Sequence, residues 1–240
     1  MRQEGIVIGS DRNQEWLLPL WWERYSDHNA YPVAFADFGM SPESAAWCRE
    51  RGELFSVPEI EIAEVPPNRR EVWEAYYGNG ILSHRKLFFK KPFALLQSPF
   101  LKSVWIDLDC RVRGSLAPLF ALLDSGIDIG MRKEPEEIQR SHLEKGFILP
   151  GETDYNTGVI PCRKDAQILA DWIDAIRTLG EEFPSDQQAF SRALKLRPAK
   201  MAELDPIYNW SPINGSNPNA VIYHFHGSFL KDPAIFYFFP

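Results

Sequence analysis

Two aspartates one residue apart, Asp107 and Asp109, follow the apolar run VWI in the stretch SVWIDLDCRVRGSL, residues 103–116. Carboxylates at that spacing repel each other, and a cation held between them would remove the repulsion. On a strand, alternate side chains share a face, so Asp107 and Asp109 are expected to point one way and Leu108 the other. The carboxyl end of a strand in an open α/β sheet is where ligands bind. Two hard oxygen donors on one face suit Mg²⁺ or Mn²⁺, with positions left for water or phosphate oxygens. A merely solvated strand end is the other reading of the pair.

The elements that must position this pair are legible in outline. GIVIGSD (5–11) reads as a buried strand ending in a polar loop, and QEWLLPLWWERYSDH as a helix. YPVAFADFG is a second strand. Ser41-Pro42-Glu43 marks the start of a helix running to the Gly stop of ESAAWCRERG. LFSVPEI makes a third, weaker strand. This β-α-β-α-β order implies parallel strands and helices on both faces. KKPFALLQSPFLK is read as a helix delivering the chain to strand SVWID. Ser115 is expected to cap LAPLFALLDSG, with IDIGMRKE and DYNTGVIPCRKD as further strands. Asp165 is expected to cap a helix with Ile168, Leu169, Trp172, Ile173 and Ile176 along one stripe. PSDQQAFSRALK is one more helix and NAVIYHFHGSF one more strand. Residues 61–83 are mixed and broken by Pro-Pro and Gly-Asn-Gly, while 132–153 are charged and aperiodic, like a surface excursion near a site.

Composition narrows the classes. The 240 residues suit one domain, with 1–110 and 111–240 as its two halves, and 45% hydrophobic content supports a proper core. A net charge of −7 with no clustered Lys and Arg excludes a nucleic-acid binder working through a basic face. Three scattered cysteines make neither a disulfide framework nor a zinc site, and they suit a reducing, cytoplasmic setting. No stretch is long and apolar enough to span a membrane, although the terminal AIFYFFP could touch a membrane surface instead of docking on the core. Sequons at Asn209 and Asn214 are read as chance.

Haloacid-dehalogenase-type phosphatases also place DxD after an apolar strand, but on an N-terminal strand and with Thr or Val at the fifth position, where this chain has Arg111. VWIDLDCRVRGSLAPLF instead resembles the DxD segment of metal-dependent, nucleotide-sugar-using glycosyltransferases of the GT-A fold. Within these it is most similar to the group containing glycogenin and bacterial lipopolysaccharide galactosyltransferases. Three further segments agree in order: DYNTGVI (154–160) resembles the group's F-N-x-G-V strand, SDQQAF (185–190) its D-Q helix start, and VIYHFHGSFLK (221–231) its closing H-x-x-G…K. The fold implied is α/β, GT-A or Rossmann-like, with a mixed, mainly parallel central sheet and helices on both faces.

The resemblance also implies roles. Asp107, Asp109 and His224 would hold the metal, with His226 as a substitute for His224. Imidazole beside two carboxylates favours Mn²⁺ over Mg²⁺. Asp107, Lys91 (with Lys90 as a neighbour), Asn156, Thr157, Gly158, Gly227 and Lys231 would meet the donor, as would Ser10 and Asp11 at the end of the first strand. Lys231 falls one position later than the group's lysine. Asp186 and Gln187 match the sugar-facing pair, and Asp154 or Asp186 could serve as general base. Ser185 and Gln188 are already explained by a capping box. The implied activity moves a hexose from a UDP-sugar to a saccharide, lipid-linked or protein acceptor. The alternatives are a nucleotidyltransferase, which lacks support because GSDRNQ has a single Gly where a G-x-G-T-R loop is needed, and a silent nucleotide-sugar binder.

Overall fold

The structure, a computed structural model, describes residues 2–226. Its chain order is β1 (Arg2–Ser10), α1 (Leu18–Ser26), β2 (Val33–Asp37), α2 (Pro42–Arg49), β3 (Glu53–Ser56), α3 (Pro67–Tyr77), α4 (Ile81–Phe88), α5 (Lys90–Gln97), β4 (Phe100–Ile106), β5 (Cys110–Val112) and α6 (Ala117–Asp124). It continues with β6 (Ile129–Lys133), α7 (Glu136–Glu144), β7 (Tyr155–Asn156), β8 (Val159–Arg163), α8 (Gln167–Leu179), α9 (Asp186–Leu196), β9 (Met201–Glu203) and β10 (Ile222–His224).

The main sheet has the order β3-β2-β1-β4-β8-β6-β7, with β9 also paired to β6. The first four strands in that path are parallel, as the β-α-β-α-β reading requires, and β8 enters antiparallel against β4. A separate two-stranded ribbon joins β5 to β10, so the segment after the aspartates leaves the main sheet for a new partner.

Strand alternation divides the core between the two faces. Ile6, Ile8, Val33, Phe35, Val104 and Ile106 face α1 and α6, where Trp21, Tyr25 and Phe120 fill the space. Val7, Ala34, Ala36, Trp105 and Ile160 face the opposite layer of α5, α8 and α9. The stripe expected on α8 is buried there as a block.

Several local expectations shift. Ser41 does cap α2, its Oγ accepting from Ser44 N at 3.2 Å. Ser115 stands one residue too early: α6 is preceded by Leu116, and Ser115 Oγ accepts from Ala117 N instead. Asp165 does not cap α8, because its carboxylate is engaged by the Arg163 guanidinium at 3.0 and 3.1 Å. The two segments without a readable pattern carry helices: α3 and the start of α4 lie in 61–83, and α7 lies in 132–153. They also pack on each other: Val65, Trp73, Ile81 and Phe147 make a small core of their own, and the Tyr76 and Tyr77 rings lie on His142 and Phe147.

Candidate active site

Strand β4 stops at Ile106, so Asp107 and Asp109 do not lie on a strand. Asp107 O accepts from Cys110 N at 2.9 Å, which closes a turn over Asp107–Cys110. The pair converges because this turn folds it back, and not through strand alternation. Leu108, 2% exposed, is the side chain the turn drives into the core. Asp107 N is anchored by Gly158 O at 2.8 Å, tying the turn to the break between β7 and β8.

The ribbon completes the arrangement. Pairing of His224 with Cys110 across β10 and β5 sets the His224 ring against the turn. His224 Nε2 lies 3.4 Å from Asp109 Oδ1 and 3.8 Å from Asp107 Oδ2. Asp109 and His224 are buried, and the His226 ring stands 5.1 Å from that of His224. An Asp109 carboxylate oxygen, Cys110 Sγ and a His224 ring nitrogen all lie within 4.8 Å of one another. Sequence reading gave Cys110 no role. Burial, then Asp109 and Asp107, push its thiol well above the usual range, and Sγ points its proton at Gly158 O. Two carboxylates and an imidazole fit a hard or borderline divalent cation without it.

Lys91 sits beneath the aspartates. Its Nζ lies 3.1 Å from Asp107 Oδ1, 3.2 Å from Asp186 Oδ2 and 2.8 Å from Thr157 O. Burial opposes its charge, but Asp107 and Asp186 outweigh that and raise its pKa. Asp186 is raised as well, by burial first, against the pull of Lys91. The ammonium donates to Asp107 Oδ2 at 3.3 Å, Thr157 O at 2.8 Å and Thr157 Oγ1 at 3.2 Å, so its three protons are committed inside the protein, and Lys91 is 5% exposed. This places it as a strut beneath Asp107 and Asp186. Trp105 Nε1 donates to Asp107 Oδ1 at 2.6 Å and fixes the same carboxylate from the side. Lys90 turns away to Glu59 at 2.6 Å.

Gly158 is required by a neighbour: a Cβ there would stand 2.2 Å from His224 Cε1 and 2.4 Å from its Nδ1. Asn156 and Gln187 meet at Glu134, whose Oε1 accepts from Asn156 Nδ2 at 2.9 Å and Gln187 Nε2 at 3.2 Å. Ser185 caps α9 by accepting from Gln187 N at 3.3 Å, and its Oγ donates to Gln188 Oε1 at 2.7 Å. Glu134 was missed because one acid in a charged segment carries no local signal. Asn209, noticed in the sequence only as the head of a sequon, is 1% exposed and accepts from His224 Nδ1 at 2.9 Å.

Asp154 lies elsewhere. It has no exposed surface, and its Oδ2 meets His142 Nδ1 at 2.5 Å, with Tyr77 Oη on the far ring nitrogen at 3.4 Å. An acid sealed in this way cannot reach an incoming hydroxyl, so the general-base expectation for Asp154 is withdrawn. At the end of β1, Ser10 donates to Asp11 O. The Asp11 carboxylate accepts from Gln14 N at 3.1 Å and Asn13 Nδ2 at 2.9 Å, closing the loop into α1. The β1–β4 register, Val7 opposite Trp105, sets this loop beside the aspartate turn. Gly227, Lys231 and the aromatic tail lie outside the described residues.

This layout, a mostly parallel sheet with the paired acids at its carboxyl edge and a late histidine brought in by a ribbon, is that of the GT-A fold. Among solved structures the chain is similar to the galactosyltransferase LgtC in complex with donor and acceptor sugar analogs, with TM-score 0.59 and 18% identity over 94% of this chain and 88% of that one. It is similar to mouse xyloside xylosyltransferase 1 in its apo form, with TM-score 0.56 and 15% identity over 93% and 97%. It also resembles the glycosyltransferase GlyE of Streptococcus pneumoniae TIGR4, with TM-score 0.62 and 15% identity over 95% of this chain and 55% of that one. No family model and no curated protein matches the sequence. Among the described residues no helix is long and apolar enough to cross a membrane.

Proposed function

We propose that this protein transfers a hexose from a UDP-sugar to a saccharide, lipid-linked or protein acceptor, using Mn²⁺, or Mg²⁺ in its place. The observation that carries this reading is the convergence of Asp107, Asp109 and His224 on one locus at the sheet edge of a GT-A fold. A divalent ion bound there supplies Lewis-acid stabilisation of the departing diphosphate.

The chain's own residues do the rest. Lys91 bridges Asp107 and Asp186 and offsets their mutual repulsion. Glu134 orients the Gln187 amide and the Asn156 amide together, which keeps the two sugar-facing segments in register. Asp186, raised by burial, is the acid next to Gln187 on the same helix start. The Asp11 loop and Thr157 border the donor side. The free, buried cysteines Cys48, Cys110 and Cys162 support a cytoplasmic setting.

Isothermal titration with UDP in the presence and absence of Mn²⁺ tests the reading. Binding that needs the metal is expected, and Asp109→Ala should abolish it while leaving the melting temperature near that of the wild type. Metal-independent binding, or none, refutes the proposal. Release of UDP from a UDP-hexose separates an enzyme from a silent binder, which would hold the donor intact.

A further inference from the structure

We infer that Asn209 is a positioning residue that sets the tautomer of His224, and through it the grip of Asp107, Asp109 and His224 on a divalent cation. The inference rests on the metal reading above.

The argument starts from a backbone group whose polarity is fixed. Gly158 N–H can only donate, and it donates to Asn156 Oδ1 at 3.0 Å. On the other side of the same amide, Asn156 Nδ2 faces Glu134 Oε1 at 2.9 Å, and an ionised carboxylate can only accept. Both contacts orient Asn156 the same way, and the flipped amide would create two repulsions. With its oxygen so placed, Asn156 Oδ1 accepts a second bond, from Asn209 Nδ2 at 2.8 Å. That fixes the Asn209 amide in turn, so its Oδ1 faces His224 Nδ1 at 2.9 Å. An amide oxygen accepts only; His224 Nδ1 must therefore carry the proton.

The consequence appears at the other ring nitrogen. In its neutral form, His224 held as the Nδ1–H tautomer presents an Nε2 lone pair towards Asp109 Oδ1 at 3.4 Å and Asp107 Oδ2 at 3.8 Å. The backbone keeps the ring there, since His224 N donates to Trp210 O at 2.8 Å and Arg132 donates to Asn209 O. A nitrogen lone pair and carboxylate oxygens facing one point form a locus for a cation. The opposite tautomer would aim a proton into it. Partners that orient a histidine through its second nitrogen are worth about 10–100-fold in metal affinity. The same line of amides reaches Gln187 through Glu134, so the imidazole and the sugar-facing helix share one set of hydrogen bonds.

The test has two arms. The ¹⁵N chemical shifts of the His224 imidazole, read on metal-free protein at a pH high enough that the ring is neutral, report the tautomer. Mn²⁺ affinity is read from the electron paramagnetic resonance signal of the free ion. Wild-type protein should show Nδ1–H, Asn209→Ala should lose that preference, and its Mn²⁺ binding should weaken about 10–100-fold. Asn156→Ala frees the Asn209 amide to turn either face to the ring, so a smaller weakening and a mixture of tautomers are expected; it decides the matter if Asn209→Ala does not fold. Nε2–H in the wild type, or wild-type Mn²⁺ affinity in whichever of these variants folds, overturns the inference. Wild-type protein that binds no Mn²⁺ overturns the metal reading instead, while the tautomer arm still decides whether Asn209 orients His224.

Discussion

Gly158 and Lys91 show two opposite ways in which single residues hold the candidate site. Gly158 contributes by what it lacks: the His224 ring occupies the volume of its missing side chain. Gly158→Ala should cost about 1–3 kcal/mol as an overpacked position. Mn²⁺ affinity should fall with it, since the displaced ring is the imidazole facing Asp109; urea denaturation and metal titration measure the two effects. Lys91 contributes by charge. Lys91→Met leaves the Asp107 and Asp186 carboxylates facing each other and should cost about 3–5 kcal/mol near neutral pH. Asp186 is already raised above 3.8 by burial. A carboxylate with a raised folded-state pKa favours the fold in its protonated form, so the penalty grows as pH rises through that pKa and shrinks below it. The variant should therefore regain stability relative to wild type in acid, as thermal melts across that range would show.

Among the elements, α2 has the clearest start, and it is held twice. Ser41 Oγ accepts from Ser44 N, while Ser41 N itself donates to Glu15 Oε2 at 2.7 Å, across from the start of α1. The backbone bond from Ser41 holds the Glu15 carboxyl below its usual 4.5. A depressed acid stabilises the fold above its unfolded value and loses that contribution as pH falls through the folded one. Glu15→Ala should thus melt below wild type near neutral pH, with the gap closing below pH 4.5. Caps at Ser41 and Ser185 were legible because Pro42 in the first case and Gln188 in the second accompany them. Ser115 and Asp165 carried no such company, and Leu116 and Arg163 respectively changed the outcome. Helix α7 was hidden for another reason. Its buried face includes His142, a polar residue that contributes nothing to apolar periodicity, and what holds it is Asp154.

The two halves of the molecule share one sheet, because β4 pairs with β1 on one edge and β8 on the other. We expect far-ultraviolet and near-ultraviolet signals to be lost at one urea midpoint, with separate midpoints counting against a single folding unit. The parallel half was readable from apolar runs and turn signals alone. The site was readable only as residue types in order: the turn at Asp107–Cys110, the strut role of Lys91 and the amide line through Asn209 depend on long-range contacts that leave no local pattern. The ribbon that pairs β5 with β10 has a consequence for synthesis. A ribosome delivers the two aspartates well before the imidazole, so a nascent chain that has Asp109 but not yet His224 lacks part of the proposed cation locus. On the proposed metal reading, the first half must then fold without an ion to template it, and loading must wait until β10 has paired with β5.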